Sequence, residues 1–241
     1  MKRFLITIIL LTALLAAVLL LIAGPGTRLD WWQFRTGFGL MRWAVYLGLG
    51  ASAVALVALL IPAMRRSGLA RLGIALVVGA SVAAVPLLQY RTVQSLPRIH
   101  DITTDTLNPP EFIAIAPLRA DAPNPVEHPG EEVARQQREA YPDIVTFETD
   151  AYPAIVFERA LALASRQGWE IVATEPEEGR IEATDTTFWF GFKDDVVIRI
   201  QGSETGSRVD VRSKSRVGLS DVGANARRIR AFLDALDEQL H

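Results

Sequence analysis

Apolar positions are arranged in two regimes along the chain. Near the amino terminus they form long unbroken runs, and further on they form short alternations separated by turn residues. Residues 4–23 carry no charge, and twenty residues at ~1.5 Å per residue cover the ~30 Å hydrocarbon layer of a bilayer. Residues 41–64 repeat the pattern with only Arg42 at the edge, where a long side chain reaches the headgroups. The uncharged run 72–88 spans roughly 25 Å alone and is completed by Leu69, Ala70 and Tyr90. The runs predict three transmembrane helices over about residues 4–23, 41–64 and 70–90. Gly48 and Ser52, Ala51 and Ala55, and Ala75 and Gly79 have small-xxx-small spacing, which predicts close packing of the three-helix hairpin.

Residues 97–149 show neither period. Pro117, Pro123, Pro125, Pro129 and Pro142 fall among charges, predicting an extended tether that wraps the domain, with a helical turn or two at 131–139. A compact domain is expected over 150–241. Asp150 as a cap, Pro153 in the first turn and the stripe Ile155, Phe157, Ala160, Leu161 and Ala164, ending at Gly168, predict a helix. Strands are predicted over 170–174, 180–190, 195–201 and 208–217, with short turn-rich separators favouring an antiparallel meander. Val222, Ala226, Ile229, Leu233, Leu236 and Leu240 share one face of a closing helix over 221–239. The expected fold is therefore three transmembrane helices followed by a two-layer α+β sandwich of helix, four-stranded antiparallel meander and helix.

Charge sharpens the division. Residues 1–96 hold nine Lys/Arg against Asp30 alone, whereas residues 97–241 hold 16 bases against 26 acids. Lys2 and Arg3 precede the first run, and Arg65, Arg66 and Arg71 crowd the link between the second and third, so both segments are assigned to the cytoplasm by the positive-inside rule. An odd number of spans then carries residues 97–241 to the other side, the periplasm beyond a bacterial inner membrane. The first run is longer than the ~7–15-residue apolar region of a cleavable signal, and cleavage would leave the domain on the same side. The acidic soluble half argues against nucleic-acid binding, and no ionisable residue lies deep in a span to serve a proton or ion path. Without Cys there is no disulfide, thiolate nucleophile or Cys-based metal site.

Several strings are more specific. They include Arg98-Ile99-His100-Asp101-Ile102-Thr103-Thr104-Asp105, Asn108-Pro109-Pro110-Glu111-Phe112, Gly168-Trp169-Glu170-Ile171, Gly191-Phe192-Lys193-Asp194-Asp195 and residues 209–218, followed by Ser220-Asp221-Val222-Gly223-Ala224-Asn225 and Arg228-Ile229. Together they resemble the bacterial and plastid family of unknown function numbered 1499, over roughly residues 97–240. The three spans look like the membrane-anchored form of that family common in alpha-proteobacteria. The resemblance implies an architecture and no activity. The helix, Gly-Trp and meander also look like the helix-grip repeats of outer-membrane assembly lipoproteins, an analogy of fold only.

Three constellations carry candidate chemistry. His100, with Asp101, Thr103, Thr104, Asp105 and Asn108, offers oxygen and imidazole ligands, but the spacing matches neither zinc nor EF-hand patterns, so no metal is expected. Asp194 and Asp195 are adjacent and point to opposite sides of a regular strand, which makes them and His100 weak catalytic candidates. Arg212, Ser215, Arg216, Asp221, Asn225 and Arg228 form either an Arg–Asp buttress or a pocket for a phosphate or carboxylate. Phe188, Trp189, Phe190 and Phe192 are placed in the core or along such a groove. There is no phosphate loop, nucleophile elbow or His-Glu-x-x-His, and no cofactor is expected. The chain reads as a membrane protein presenting a periplasmic domain that binds an anionic lipid headgroup, glycan fragment or envelope protein in envelope upkeep. The alternatives are an envelope hydrolase or metal-dependent enzyme, and a purely structural membrane partner.

Overall fold

The computed structural model describes residues 1–94 and 96–240, without the side chains of residues 91–93. It divides into two compact units, one of Met1–Ser95 with Phe188–Gly191 and the other of Leu96–Thr187 with Phe192–His241.

The first unit is built on helices α1 (Lys2–Arg28), α2 (Phe34–Leu60) and α3 (Pro62–Gln94). Each contains a stretch long and apolar enough to cross a membrane. Where they meet, side chains are small: Ala13 and Ala16 on α1, Ala51 and Ala55 on α2, and Ala75 and Ala83 on α3 are buried. Gly48 and Gly79 face each other so closely that a β-carbon on Gly79 would lie 2.5 Å from the Gly48 carbonyl oxygen. Ser52 donates to the Leu76 carbonyl at 3.1 Å, so the small-residue spacing serves contact between α2 and α3.

The second unit carries a six-stranded antiparallel sheet. Strands β3 (Glu170–Glu175), β4 (Arg180–Thr186), β5 (Lys193–Gly202) and β6 (Ser207–Ser215) form the expected meander. Two further strands come from the segment expected to be a tether: β1 (Asp101–Thr103) and β2 (Phe147–Thr149) both pair with β6. The exposed backbone edge of β1 is closed by Gln137 of helix α4 (Glu131–Ala140). Its side-chain amide donates to the Thr103 carbonyl at 2.6 Å and accepts from the Thr103 N–H at 3.0 Å, as a neighbouring strand would.

One face of the sheet packs on helices α5 (Pro153–Arg166) and α6 (Ala224–Leu240). Val196, Ile198, Ile200, Val209 and Val211 alternate inward, meeting Val156, Phe157, Ala160 and Leu163 of α5 and Ile229, Phe232 and Leu236 of α6. Each Val, Ile, Leu or Phe side chain among them contributes ~1.5–3 kcal/mol when fully buried. Trp169 stacks on Phe232 with ring centroids 5.3 Å apart.

Five local expectations are corrected. The α5 stripe is rotated, leaving Ile155 exposed and burying Val156, and Tyr152, not Asp150, precedes its first turn. Strand β4 ends at Thr186, because the Thr187 N–H bonds the Phe192 carbonyl and Thr187 Oγ1 accepts from the Phe192 N–H, closing a loop that turns at Gly191 with φ +70°. Phe188, Trp189, Phe190 and Phe192 therefore lie in a connection and outside the core cluster, with Phe188 84% exposed. Finally, α6 starts at Ala224 because Val222 and Gly223 have positive φ, which no helix accommodates.

Candidate functional site

The opposite face of the sheet is charged and yet buried. Asp101 on β1, Glu182 and Thr184 on β4, Asp195 on β5, and Asp210, Arg212 and Lys214 on β6 all project there, and Asp101, Glu182, Asp195 and Lys214 are fully inaccessible. What covers them is the Pro-rich stretch after β1. Phe112 and Ile115 from this strap pack on Val197, the one aliphatic residue that β5 turns to this side.

The strap is held by charge and by backbone together. Asp101 accepts from Arg212 Nε at 2.9 Å and Nη2 at 2.8 Å, and from Lys214 Nζ at 2.9 Å. The same two cations reach the strap, Arg212 donating to the Pro110 and Val126 carbonyls at 3.1 and 2.9 Å and Lys214 to the Glu127 carbonyl. Asp195 is the second centre, accepting from Arg119 Nη1 at 3.0 Å, Arg216 Nη2 at 2.8 Å and Thr184 Oγ1 at 2.8 Å. Arg119 and Arg216 then bind the Asn124 and Leu118 carbonyls. From the opposite direction Glu182 accepts backbone N–H groups of Ile113, Ala114 and Ile115 at 2.9–3.1 Å and pairs with Arg180. An aperiodic segment thus has its polar backbone satisfied by ionised side chains of the sheet.

Burial works to raise the Asp101 carboxyl, but the Arg212 hydrogen bonds and the Arg212 and Lys214 charges outweigh it and hold the group below the usual carboxylate range. Burial lowers Lys214 against the attraction of Asp101. His100 and His128 are both lowered, first by burial, with Lys214 acting on both and Arg212 on His128.

The candidate residues divide between the two faces. Arg212 and Arg216 share the strap side, as their alternation predicted, each bound to a different aspartate. Ser215, Asn225 and Arg228 lie on the helix side. There Asn225 donates to Ser215 Oγ at 3.1 Å and to the His100 carbonyl at 3.0 Å, and Arg228 pairs with Asp185 and Asp194. Asp221 belongs to neither cluster: its carboxylate accepts the Gly223 and Asn225 N–H groups at 2.8 and 2.9 Å, fixing the entry to α6. Asp194 and Asp195 do point to opposite faces, and both are bound by arginines. His100 Nδ1 is buried without a hydrogen-bond partner. Among the described residues no group of three His, Cys, Asp or Glu side chains could hold a metal ion.

A family model described as protein of unknown function (DUF1499) matches residues 101–236, more than half of the chain. The chain belongs to the DUF1499 family. No curated protein matches it. The match begins at Asp101, so the DUF1499 domain includes the strap and its buried carboxylates as well as the meander and helices. Arg119, Glu182, Glu127 and His128 are the residues that the sequence reading missed. Val197 was the available signal, since an aliphatic residue on an otherwise charged face marks a face that is covered.

One cleft opens where the strap crosses Arg212. It has a volume of about 380 Å³ and is lined by Asn108, Glu111, Phe112, Glu127, His128 and Arg212, among others. The Arg212 guanidinium lies 4.9 Å from the Phe112 ring centroid, so the ring covers one of its faces.

Proposed function

We propose that this DUF1499 protein is a multi-pass protein of the bacterial inner membrane whose domain, held in the periplasm, works by binding a ligand in envelope upkeep. The observation that carries the reading is the cleft lined by Arg212 and His128, where the buried His128 Nε2 has no hydrogen-bond partner. Asp194 and Asp195 are committed to arginines on opposite faces, so neither supports the hydrolase alternative. Location on the far side of the membrane is supported by Lys2, Arg3, Arg65, Arg66 and Arg71, which favour cytoplasmic placement of the amino terminus and of the α2–α3 junction.

Native mass spectrometry of the full chain, extracted from its own membrane in a mild detergent, tests the binding reading. A stoichiometric small mass that disappears in His128→Ala is expected. An apo mass for the wild type, identical in behaviour to the variant, would overturn it.

A further inference from the structure

The cleft also has a polarity, which narrows what it takes. Deep in it, Arg212 has five N–H groups, of which four are used: two on Asp101 and one each on the Pro110 and Val126 carbonyls. One Nη1 N–H is left. His128 Nδ1 accepts the Gly130 N–H at 3.1 Å, which puts the proton of the neutral ring on Nε2, and Nε2 is buried without a partner. Two donors, one of them cationic, thus lack an acceptor in the same cleft. At its mouth stand Glu111 and Glu127, both exposed and neither in an ion pair among the described residues. A simple anion is attracted by the floor and repelled at the rim, and a simple cation meets the reverse. The arrangement complements a ligand with its anionic oxygen first and its ammonium group last. At about 380 Å³ the cleft lies near the low end of the ~300–1,000 Å³ typical of small-molecule sites, room for a headgroup and not for a whole lipid.

We infer that the cleft is a zwitterion site for a phosphoethanolamine group, a phosphate oxygen taking the Arg212 Nη1 and His128 Nε2 protons and the ammonium lying between the Glu111 and Glu127 carboxylates. This rests on the reading of the domain as a binding module. The two sources of such a group are an amine-bearing membrane phospholipid and its soluble deacylated form.

Isothermal titration of the full chain in a sugar-based detergent separates the possibilities, with glycerophosphoethanolamine as the probe and glycerophosphoglycerol, which lacks the amine, as comparison. Glycerophosphoethanolamine is expected to bind, and glycerophosphoglycerol to bind about tenfold or more weakly. The exposed pair Glu111→Gln with Glu127→Gln should erase that preference, while His128→Ala should weaken binding of both probes by about tenfold. Arg212 is left intact, since it also holds the strap. Equal binding of the two probes, or a preference unchanged in the glutamine pair, overturns the zwitterion assignment. Failure of glycerophosphoethanolamine to bind at millimolar concentration does so too. If native mass spectrometry still finds another retained mass, the binding reading survives that failure. Repeating the titration in nanodiscs identifies the source: competition by phosphatidylethanolamine, and not by phosphatidylglycerol, supports the inference with the lipid as ligand. Binding of the soluble probe undisturbed by either lipid supports it with the free headgroup as ligand.

Discussion

Asp101→Asn removes one negative charge from beneath the strap and leaves the volume unchanged. In the native protein Asp101 is fully buried and answers two cations, Arg212 at 2.8 Å and Lys214 at 2.9 Å, each of which also holds a strap carbonyl. Breaking a buried ion pair by removing one partner costs ~3–5 kcal/mol, because the other charge is left uncompensated away from water. Here two charges are left, so the upper part of that range is expected. For a chain of this size ~1 kcal/mol moves the midpoint by ~2–4 °C, giving a fall of about 10–15 °C. Thermal unfolding of the full chain in detergent, followed by near-ultraviolet circular dichroism, measures it. The paired change Asp101→Asn with Lys214→Met should recover part of the loss, since the second substitution removes one orphaned charge; the difference is the coupling energy of a double-mutant cycle. A single Asp101→Asn variant that melts within about 2 °C of the wild type would refute the idea that these ion pairs lock the strap.

Other consequences are as direct. Burial lowers the pKa of His100 and His128 below the ordinary 6.5, so the unfolded chain binds more protons; the stability they confer is complete above pH 6.5 and is lost as pH falls through their folded values, and denaturant titrations should show a slope there that His128→Gln reduces. Asp101, held below its ordinary 3.8, contributes stability that persists above that pH and disappears as pH falls through its lower folded value, a second acid transition absent from Asp101→Asn. In the helical unit, Gly79→Leu forces a side chain against the Gly48 carbonyl and should lower the midpoint of the detergent-solubilised protein by several degrees, whereas Gly50→Leu, whose β-carbon would meet nothing within 4 Å, should leave it unchanged. Relieving the positive φ of Val222, 56°, by Val222→Gly should stabilise by about 1 kcal/mol in urea unfolding; a loss of stability would contradict a strained backbone at the start of α6.

Most of the fold was legible because it is periodic. Twenty uncharged residues at the start, the alternation of Val196, Ile198 and Ile200, and the spacing of Ala226, Ile229 and Leu236 each name an element by themselves. The strap was not legible in this way. Its conformation is set by Glu182 accepting three backbone N–H groups and by Arg212, Lys214 and Arg216 donating to its carbonyls, contacts between positions about 70 to 100 residues apart that leave no local pattern. The site suffered for the same reason. Arg212 was visible as a charge on a strand, but its neighbours His128, Glu127 and Phe112 come from the segment read as a tether. Asp221 and Asn225 looked like helical neighbours, and the positive φ at Val222 and Gly223 instead makes the first a cap for the second.

The proposed placement of the DUF1499 domain, on the far side of an inner membrane crossed by three spans, decides whether its cleft could meet envelope ligands at all. Fusing alkaline phosphatase, and separately green fluorescent protein, after Leu240 of the full chain tests it most directly. Active phosphatase with a dark fluorescent fusion is the predicted result. A bright fluorescent fusion with inactive phosphatase would put the domain in the cytoplasm and contradict the assignment made from Arg65, Arg66 and Arg71.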